Sequence, residues 1–147
     1  MDSECSFCAG ADVQERLVYK DETVVVFPTN IPIVPMHLLV IPRRHVPTLA
    51  ELTENERKAL LDMVERLAKI FGERYDAEGF NFAWNQGEAG GQSMQHLHIH
   101  VLPRKEGDMG VFEYDPRKFL YRLGSREKSP ESELQAVAAE VRAVLNK

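Results

Sequence analysis

Residues 95–103 read QHLHIHVLP and constrain the fold more tightly than any other part of the chain. Apolar residues alternate strictly with polar ones up to Val101, which predicts a β-strand because successive strand side chains point to opposite faces. One face of this strand carries three imidazoles about 6.5–7 Å apart. They are His96, His98 and His100. The other face is expected to pack in the core and carries Leu97, Ile99 and Val101.

This row of histidines has two interpretations. Incidental histidines on a solvated face would need no function, but the strand holds three of the chain's five histidines within five residues. Neutral imidazole binds metals, attacks electrophiles and carries protons near neutral pH. The strand therefore predicts a reactive face, on which the histidines either act on a substrate or together hold a catalytic metal.

The chain before residue 53 predicts three more strands. A hairpin is expected from Leu17–Tyr19 and Thr23–Phe27, and a buried strand from His37–Ile41, closed by Pro42. Between them, Pro28–Pro35 contains three prolines and is expected to be loop or extended edge.

Two helices and a further strand complete the predicted fold. Thr53–Glu56 is a capping box that begins a long helix, with Gly72 as its plausible end. Phe80–Asn85 alternates like a strand, and Ser129-Pro130 opens a last helix. The long helix repeats Leu60, Val64, Leu67 and Phe71 on one face, and the last repeats Leu134, Val137, Val141 and Leu145. Because strands occur in runs, the sequence predicts an α+β fold with an antiparallel sheet.

Length and charge exclude several classes of protein. A chain of 147 residues predicts one domain, here residues 1–147. The formal net charge of −5 argues against a protein that coats nucleic acid. The longest apolar runs are four residues, too short to span a membrane. The chain starts without the features of a signal peptide, so we expect a cytoplasmic protein.

The two cysteines predict half of a metal site. Two cysteines are too few for a disulfide framework. A redox pair is expected at the start of a helix that follows a strand, whereas this pair lies at the N-terminus, which argues against a redox role. The spacing Cys5-x-x-Cys8 favours zinc, which needs two more ligands. His45 follows Pro42-Arg43-Arg44 in a loop and is free to point at a metal. A histidine from either end of the 96–100 row would complete the site.

The loop before the histidines predicts a phosphate-binding element. Gly90-Gly91-Gln92-Ser93 lets backbone amides approach a ligand, and consecutive amides can form an anion nest. A plain Gly-Gly turn is the alternative. Ser93 adds a hydroxyl, and Asn85 adds an amide from across the loop.

Basic residues flank the ends of the two central strands. They are Arg43, Arg44, Arg104 and Lys105. They are either solvated loop charges or a local positive field for an anionic substrate, since the field at a cleft is set locally.

At this point the sequence resembles the histidine triad (HIT) family of nucleotide-binding proteins. The resemblance rests on GGQS-x-x-H-x-H-x-H-VLP over residues 90–103 and on P-x-x-P-x-H-x-LVIPRRH over residues 32–45. It covers roughly residues 5–105, leaving residues 106–147 as a polar tail and a last helix. It implies a five-stranded antiparallel sheet with a long helix, usually paired into a homodimer. Residues 101–108 are similar to the fragile-histidine-triad branch, which cleaves dinucleoside polyphosphates.

The resemblance also implies catalytic roles. His98 matches the nucleophile that attacks an α-phosphorus and forms a nucleotidyl-histidine, its ring fixed by the carbonyl of His96. His100 matches the residue near the phosphate oxygens and the leaving group, and His37 matches the supporting histidine. The positions that hold phosphates are Asn85, Gln92 and Ser93. Where many relatives place Asp or Asn against the ribose, this chain has Thr29 followed by Asn30.

In the zinc-containing branch, the resemblance implies a structural Zn²⁺. Its ligands correspond to Cys5, Cys8, His45 and His96. With all four positions filled by protein, the site has no place for an activated water. No organic cofactor is expected.

The sequence thus predicts a nucleotidyl hydrolase or transferase. Its expected substrates are purine dinucleoside polyphosphates or nucleotidyl phosphoramidates, with neither nucleic acid nor membrane as partner. The alternative is a nucleotide sensor or scaffold protein with a zinc knuckle and little turnover.

Overall fold

The computed structural model describes residues 4–108 and seven positions between 130 and 143. The chain divides into two compact units, residues 1–113 and 114–147, and the elements below belong to the first. Three α-helices are α1 (Ser6–Ala9), α2 (Ala11–Glu15) and α3 (Glu54–Arg74). Five strands are β1 (Tyr19–Lys20), β2 (Val24–Pro28), β3 (Leu38–Pro42), β4 (Gly79–Ala83) and β5 (Ile99–Arg104). Short 3₁₀ turns occupy Leu49–Glu51 and Glu88–Gly90.

The strands form one antiparallel sheet in the order β1-β2-β3-β5-β4. β5 therefore lies between β3 and β4, with His100 opposite Leu39 on one side and Ala83 on the other. The α+β class, the antiparallel sheet and the long helix are confirmed.

The long helix begins where the sequence predicts. The Thr53 hydroxyl accepts from the Glu56 amide, and the Glu56 carboxylate accepts from the Thr53 amide, so two otherwise unpaired donors are satisfied. The predicted end at Gly72 is wrong, because α3 continues to Arg74. One exposed glycine costs a helix only about 1 kcal/mol relative to alanine, and the neighbouring Phe71 is buried in the core.

The two faces of the sheet are covered by different elements. On one face α3 packs against Leu97, Ile99 and Val101, as the alternation predicts. On the other face a second buried cluster holds Val13, Val25, Phe27, Leu39 and Ile41, with Phe7 and Leu17 against it. The N-terminal helices α1 and α2 supply this second cover. The sequence did not predict them, because helices of four and five residues are too short to show a periodic pattern.

The predicted start of the histidine strand at Gln95 is also wrong. β5 begins at Ile99, after His96 and His98, and ends at Arg104. The last pair with β3 joins Val40 and Ile99. Two residues further along β3 is Pro42, which has no N–H to continue the ladder.

The predicted C-terminal helix lies mostly outside the described residues. Six of the seven described positions there are helical, and all seven are exposed: Pro130 and the helical Ser132, Gln135, Ala136, Ala139, Arg142 and Ala143. The predicted apolar face, Leu134, Val137, Val141 and Leu145, is outside the described set, as are residues 109–129. Among the described helices, none has both the length and the apolar character needed to cross a membrane. The single domain over residues 1–147 stays a prediction.

Candidate active site and metal centre

Two histidines of the row are buried and His100 is half-buried, so a solvated face is the wrong interpretation. His96 is fully buried, and His98 and His37 are 6% and 2% exposed. Burial is the main cause that lowers the pKa of each of His96 and His98 below the usual value of 6.5. These imidazoles are neutral at pH 7 and act through lone pairs and single N–H groups.

His98 is held in one tautomer. Its Nδ1–H donates to the main-chain carbonyl of His96 at 2.8 Å, so the lone pair of the neutral ring is on Nε2. The ring lines a cleft beside His100, with the two ring centres 5.1 Å apart. A neutral, oriented imidazole facing a cleft has the properties of a nucleophile.

His37 and His100 form a hydrogen-bonded chain whose direction is set by the backbone. The Ile33 amide donates to His37 Nδ1 at 3.2 Å, which leaves the His37 proton on Nε2. That Nε2–H donates to His100 Nδ1 at 2.9 Å. The His100 proton is consequently on Nε2. Burial, reinforced by His98, lowers the pKa of His37 to about 4, and burial with His98 and His37 lowers that of His100 to about 3.

A cleft of about 200 Å³ opens in front of His98 and His100. Its apolar lining includes Phe7, Val13, Phe27 and Leu39, which suits a nucleobase. Its polar lining includes three of the predicted substrate-binding residues, namely Thr29, Asn30 and Ser93.

The sequence missed the contribution of the N-terminal helices to this cleft. Besides Phe7 and Val13, the cleft is lined by Asp12 and Arg16. Arg16 donates to the Pro28 carbonyl and to Asp12, both at 2.9 Å, and its guanidinium lies 5.9 Å from the centre of the Phe27 ring. The i,i+4 spacing of Asp12 and Arg16 was the available signal for a short helix, but it does not reveal what that helix faces.

The glycine loop does not form the expected nest of amides. The Gly90 and Gln92 amides donate to the Gly87 carbonyl, and the Gly91 amide donates to the Glu88 carbonyl. Gly91 has φ 88°, a left-handed conformation that glycine adopts without strain. These three amides are therefore used inside the loop. The loop residues that line the cleft are Ser93 and Met94.

Gln92 and Asn85 are not among the residues that line the cleft. The Gln92 side chain is buried, accepting from the Gly87 amide at 2.8 Å and donating to the Pro47 carbonyl at 2.9 Å. It therefore holds the shape of the loop. The Asn85 side chain lies beside Gly91, across the loop. Their contact with phosphate stays a prediction.

The predicted basic residues make contacts away from the cleft. Arg43 donates to the Asp21 carbonyl, and Arg44 binds the Glu56 carboxylate. Arg104 is buried against Asp108 and Asn81, and Lys105 lines a separate apolar groove. Of the cations in the described part of the chain, Arg16 is the one in the cleft lining.

Cys5, Cys8, His45 and His96 form a cluster that could bind a metal. Their ligand atoms all lie within 4.8 Å of one another, although the residues come from three separate segments of the chain. Neither cysteine forms a disulfide. Of the two ends of the histidine row, the structure selects His96.

The spacing of this cluster fits a tetrahedral ion. Bonds of about 2.3 Å to sulfur and about 2.0 Å to nitrogen place S and N about 3.5 Å apart in a tetrahedron. The Sγ–Nδ1 distances are 3.3 Å for Cys8–His96, 3.5 Å for Cys8–His45 and 3.6 Å for Cys5–His96. His96 Nε2–H donates to the Pro42 carbonyl at 2.7 Å, which turns the Nδ1 lone pair toward the thiols.

A catalytic metal held by all three histidines does not fit the geometry. His98 Nδ1 is occupied by the His96 carbonyl, and His100 Nδ1 by His37. His96 directs its own Nδ1 to the two cysteines instead. The row of histidines thus divides between a cluster that could bind a metal at one end and the cleft at the other.

Comparison with known proteins gives consistent results. The HIT domain matches residues 11–107. The chain is 32% identical over 113 residues to the bis(5'-adenosyl)-triphosphatase of Dictyostelium discoideum, covering 76% of this chain and 72% of that protein. A Zn-bound histidine triad protein of Mycobacterium smegmatis matches with TM-score 0.65 and 32% identity, over 79% of this chain and 86% of that one. A Streptococcus mutans UA159 structure matches with TM-score 0.74 and 26% identity, over 99% and 87%.

The α+β fold has a five-stranded antiparallel sheet. An oriented histidine lies between four potential metal ligands and an apolar cleft. Together these features define the histidine triad class of protein. The HIT match covers well over half of the chain. The protein belongs to the HIT domain family.

Proposed function

We propose that the protein is a nucleotidyl hydrolase or transferase in which His98 attacks the α-phosphate of a nucleotide. The observation that carries the proposal is the Nδ1–H bond from His98 to the His96 carbonyl, since it leaves the Nε2 lone pair for attack. The apolar walls of the cleft would hold the nucleoside, and His98 with His100 would face its phosphate.

The first step forms a bond between His98 Nε2 and the α-phosphorus. The bond from that phosphorus to the bridging oxygen, or to nitrogen in a phosphoramidate, breaks, and the leaving group departs with the electron pair. Water then attacks the same phosphorus and gives up a proton to the solvent, and the N–P bond breaks with its electrons returning to Nε2. Splitting one displacement into two lowers the barrier of each.

His100 would stabilise the developing charge. The chain from the Ile33 amide through His37 leaves His100 with an Nε2–H. Because His37 and His100 are both neutral at pH 7, this group donates a preorganised hydrogen bond without adding a positive charge. Ser93 would donate to the same phosphate, while Thr29 or Asn30 would contact the ribose.

Dinucleoside polyphosphates are the favoured substrate class. The similarity to a bis(5'-adenosyl)-triphosphatase supports an adenosine-containing substrate. Nucleotidyl phosphoramidates have the same α-phosphorus and remain within the proposal.

We further propose that the ion in the Cys5–Cys8–His45–His96 cluster is Zn²⁺ and that its role is structural. Two thiolates and two imidazoles are a donor set that zinc prefers, and the similarity to a Zn-bound relative supports it. When bound, the ion would crosslink the N-terminal segment to the loop after β3 and to the start of the histidine row. Cysteines outside a disulfide also fit a reducing, cytoplasmic setting.

The proposed assembly is a homodimer through β4. This strand is at the edge of the sheet, and α3 packs chiefly across β2, β3 and β5. Phe82 in this strand and Trp84 just after it are each 46% exposed. A second copy would cover both. Light scattering of the wild type and of Trp84→Lys tests this: a dimer that becomes monomeric supports the proposal, and a wild-type monomer contradicts it.

Trapping the covalent intermediate tests the proposed reaction. Wild type and His98→Asn are incubated with diadenosine triphosphate or adenosine phosphoramidate, quenched, and analysed by peptide mass spectrometry and nucleotide chromatography. We expect an adenylyl group on His98 and turnover in the wild type alone. Equal turnover by both proteins would contradict the mechanism. Tight binding of AMP by the wild type without turnover of either substrate would favour the sensor instead.

A further inference from the structure

Phe7 lies in the turn that joins the two cysteines of the metal cluster. Cys5 precedes α1 and Cys8 lies within it, with the Cys8 amide donating to the Cys5 carbonyl at 3.0 Å. Both thiols are directed at His96. The Phe7 side chain is directed toward the cleft, which it lines. One helical turn therefore carries two potential metal ligands and two residues that line the cleft, Ser6 and Phe7.

The Phe7 ring packs against the proposed nucleophile. It meets the His98 ring edge to face, with centres 5.3 Å apart and planes at 83°. It also packs edge-on against Phe27 at 5.2 Å and lies 6.1 Å from the His96 ring. The hydrogen bond from His98 to the His96 carbonyl fixes one edge of the imidazole. The Phe7 ring packs against the same imidazole.

α1 does not have the length to hold this position by itself. A helix of four residues is far below the length at which isolated helices are stable, so its place depends on what its side chains bind. The two buried cysteines join this segment to the buried His96 and to His45, which lies in the loop after β3. A metal bound at these four ligands would fix α1 and, with it, the Phe7 ring.

We propose that Phe7 is a positioning residue through which the metal site orients His98 and one wall of the nucleotide cleft. This inference rests on the proposed function. Since coupling between two binding sites is reciprocal, metal binding strengthens nucleotide binding by the same factor as nucleotide binding strengthens metal binding. The metal then supports catalysis without approaching the substrate.

The test measures affinity in two metal states. Full-length protein, loaded with Zn²⁺ or stripped by a chelator, is titrated with AMP in a calorimeter, for wild type, Phe7→Leu and Ile31→Ala. Ile31 is a matched control because it also lines the cleft but lies outside α1. We expect stripping to weaken AMP binding by the wild type about tenfold. Ile31→Ala keeps that ratio, whereas in Phe7→Leu the ratio falls close to one.

The reciprocal measurement uses Zn²⁺ affinity, read by competition with a chromogenic chelator. Saturating AMP is expected to raise the Zn²⁺ affinity of the wild type and of Ile31→Ala by that same factor, and to leave Phe7→Leu unchanged. A wild type whose AMP affinity is equal in both metal states overturns the inference. So does a Phe7→Leu protein that retains the full coupling.

A third readout separates this inference from the proposed function. The ring resonances of His98 are recorded by NMR without nucleotide, before and after stripping. We expect a metal-dependent shift in the wild type that is largely lost in Phe7→Leu, because the aromatic neighbour no longer transmits the change. An unmoved His98 resonance in the wild type overturns the inference even if the enzyme turns over. Absence of a nucleotidyl-histidine overturns the proposed reaction even if the resonance moves.

Discussion

Acid should destabilise this protein through the His37–His100 pair. His37 is buried and His100 is half-buried, and their pKa values fall from 6.5 to about 4 and about 3 respectively. In the unfolded chain each returns to 6.5, so below that pH the unfolded state binds more protons than the folded state. Stability rises with pH wherever this holds. The contribution of the pair is therefore fully present above about pH 7 and is lost as the pH falls through 6.5 toward 4.

The magnitude follows from these pKa values. At pH 5 an unfolded imidazole gains about 2 kcal/mol from protonation, and a folded one with a pKa at or below 4 gains almost nothing. Relative to pH 7, each histidine then costs about 1.9 kcal/mol, and the pair costs about 4 kcal/mol. At pH 6 the pair costs only about 1.4 kcal/mol relative to pH 7. A loss that steepens between pH 6 and 5 is thus the expected signature.

Urea denaturation at pH 7, 6 and 5, followed by circular dichroism, measures this loss. The wild type is compared with His37→Gln, His100→Gln and the double variant. We expect each single variant to lose about half, and the double variant nearly all, of the pair's contribution. The metal ligands are unchanged in all four proteins, so acid release of the metal cancels in the comparison. Parallel pH profiles for wild type and double variant would refute the reasoning, because they would mean that both imidazoles take up protons at the same pH in the folded protein as in the unfolded chain.

Three further outcomes are expected. Stripping the metal should lower Tm by roughly 10 °C or more in a thermal scan, since each kcal/mol of lost stability lowers the Tm of a domain of this size by about 2–4 °C. Cys8→Ser should lower Tm by a similar amount, and an unchanged Tm would contradict a structural role. Thr53→Ala should cost about 1 kcal/mol in urea denaturation through the lost cap, and no cost would contradict the capping box. Leu97→Ala should cost about 2–5 kcal/mol because the side chain is fully buried, against less than about 0.5 kcal/mol for the exposed Leu61→Ala; equal losses would contradict that burial.

Local patterns in the sequence predicted most of the sheet and the long helix. The alternation around residues 95–103 identified the core face through Leu97, Ile99 and Val101, and the capping box identified the first turn of α3. Both patterns work because they arise from contacts within a few residues. The strand boundary at Ile99 was missed because it depends on Pro42, a residue far along the chain.

The sequence predicted only part of the candidate site, again because some of its contacts do not show in local patterns. Residue chemistry and family resemblance identified the metal ligands, which the structure brings together, and the histidine beside the cleft. The expected amide nest at Gly90–Gln92 failed because those amides satisfy carbonyls of their own turn. Of the two interpretations of the basic residues, a local field at the cleft is not supported, because Arg43, Arg44 and Arg104 bind carboxylates or carbonyls away from it, as Arg44 does at Glu56.

By itself, the sequence determined which groups are available: three histidines in alternation, two cysteines one helical turn apart, and an amphipathic helix with its cap. Only the tertiary structure decided how they are shared. It directs His96 to the cysteines and His98 to the cleft, and it packs the Phe7 ring against the His98 ring. The physical reason is that a buried polar group must find a partner, and the available partners come from Pro42, Ile33 and the first eight residues, which only folding brings within hydrogen-bond distance.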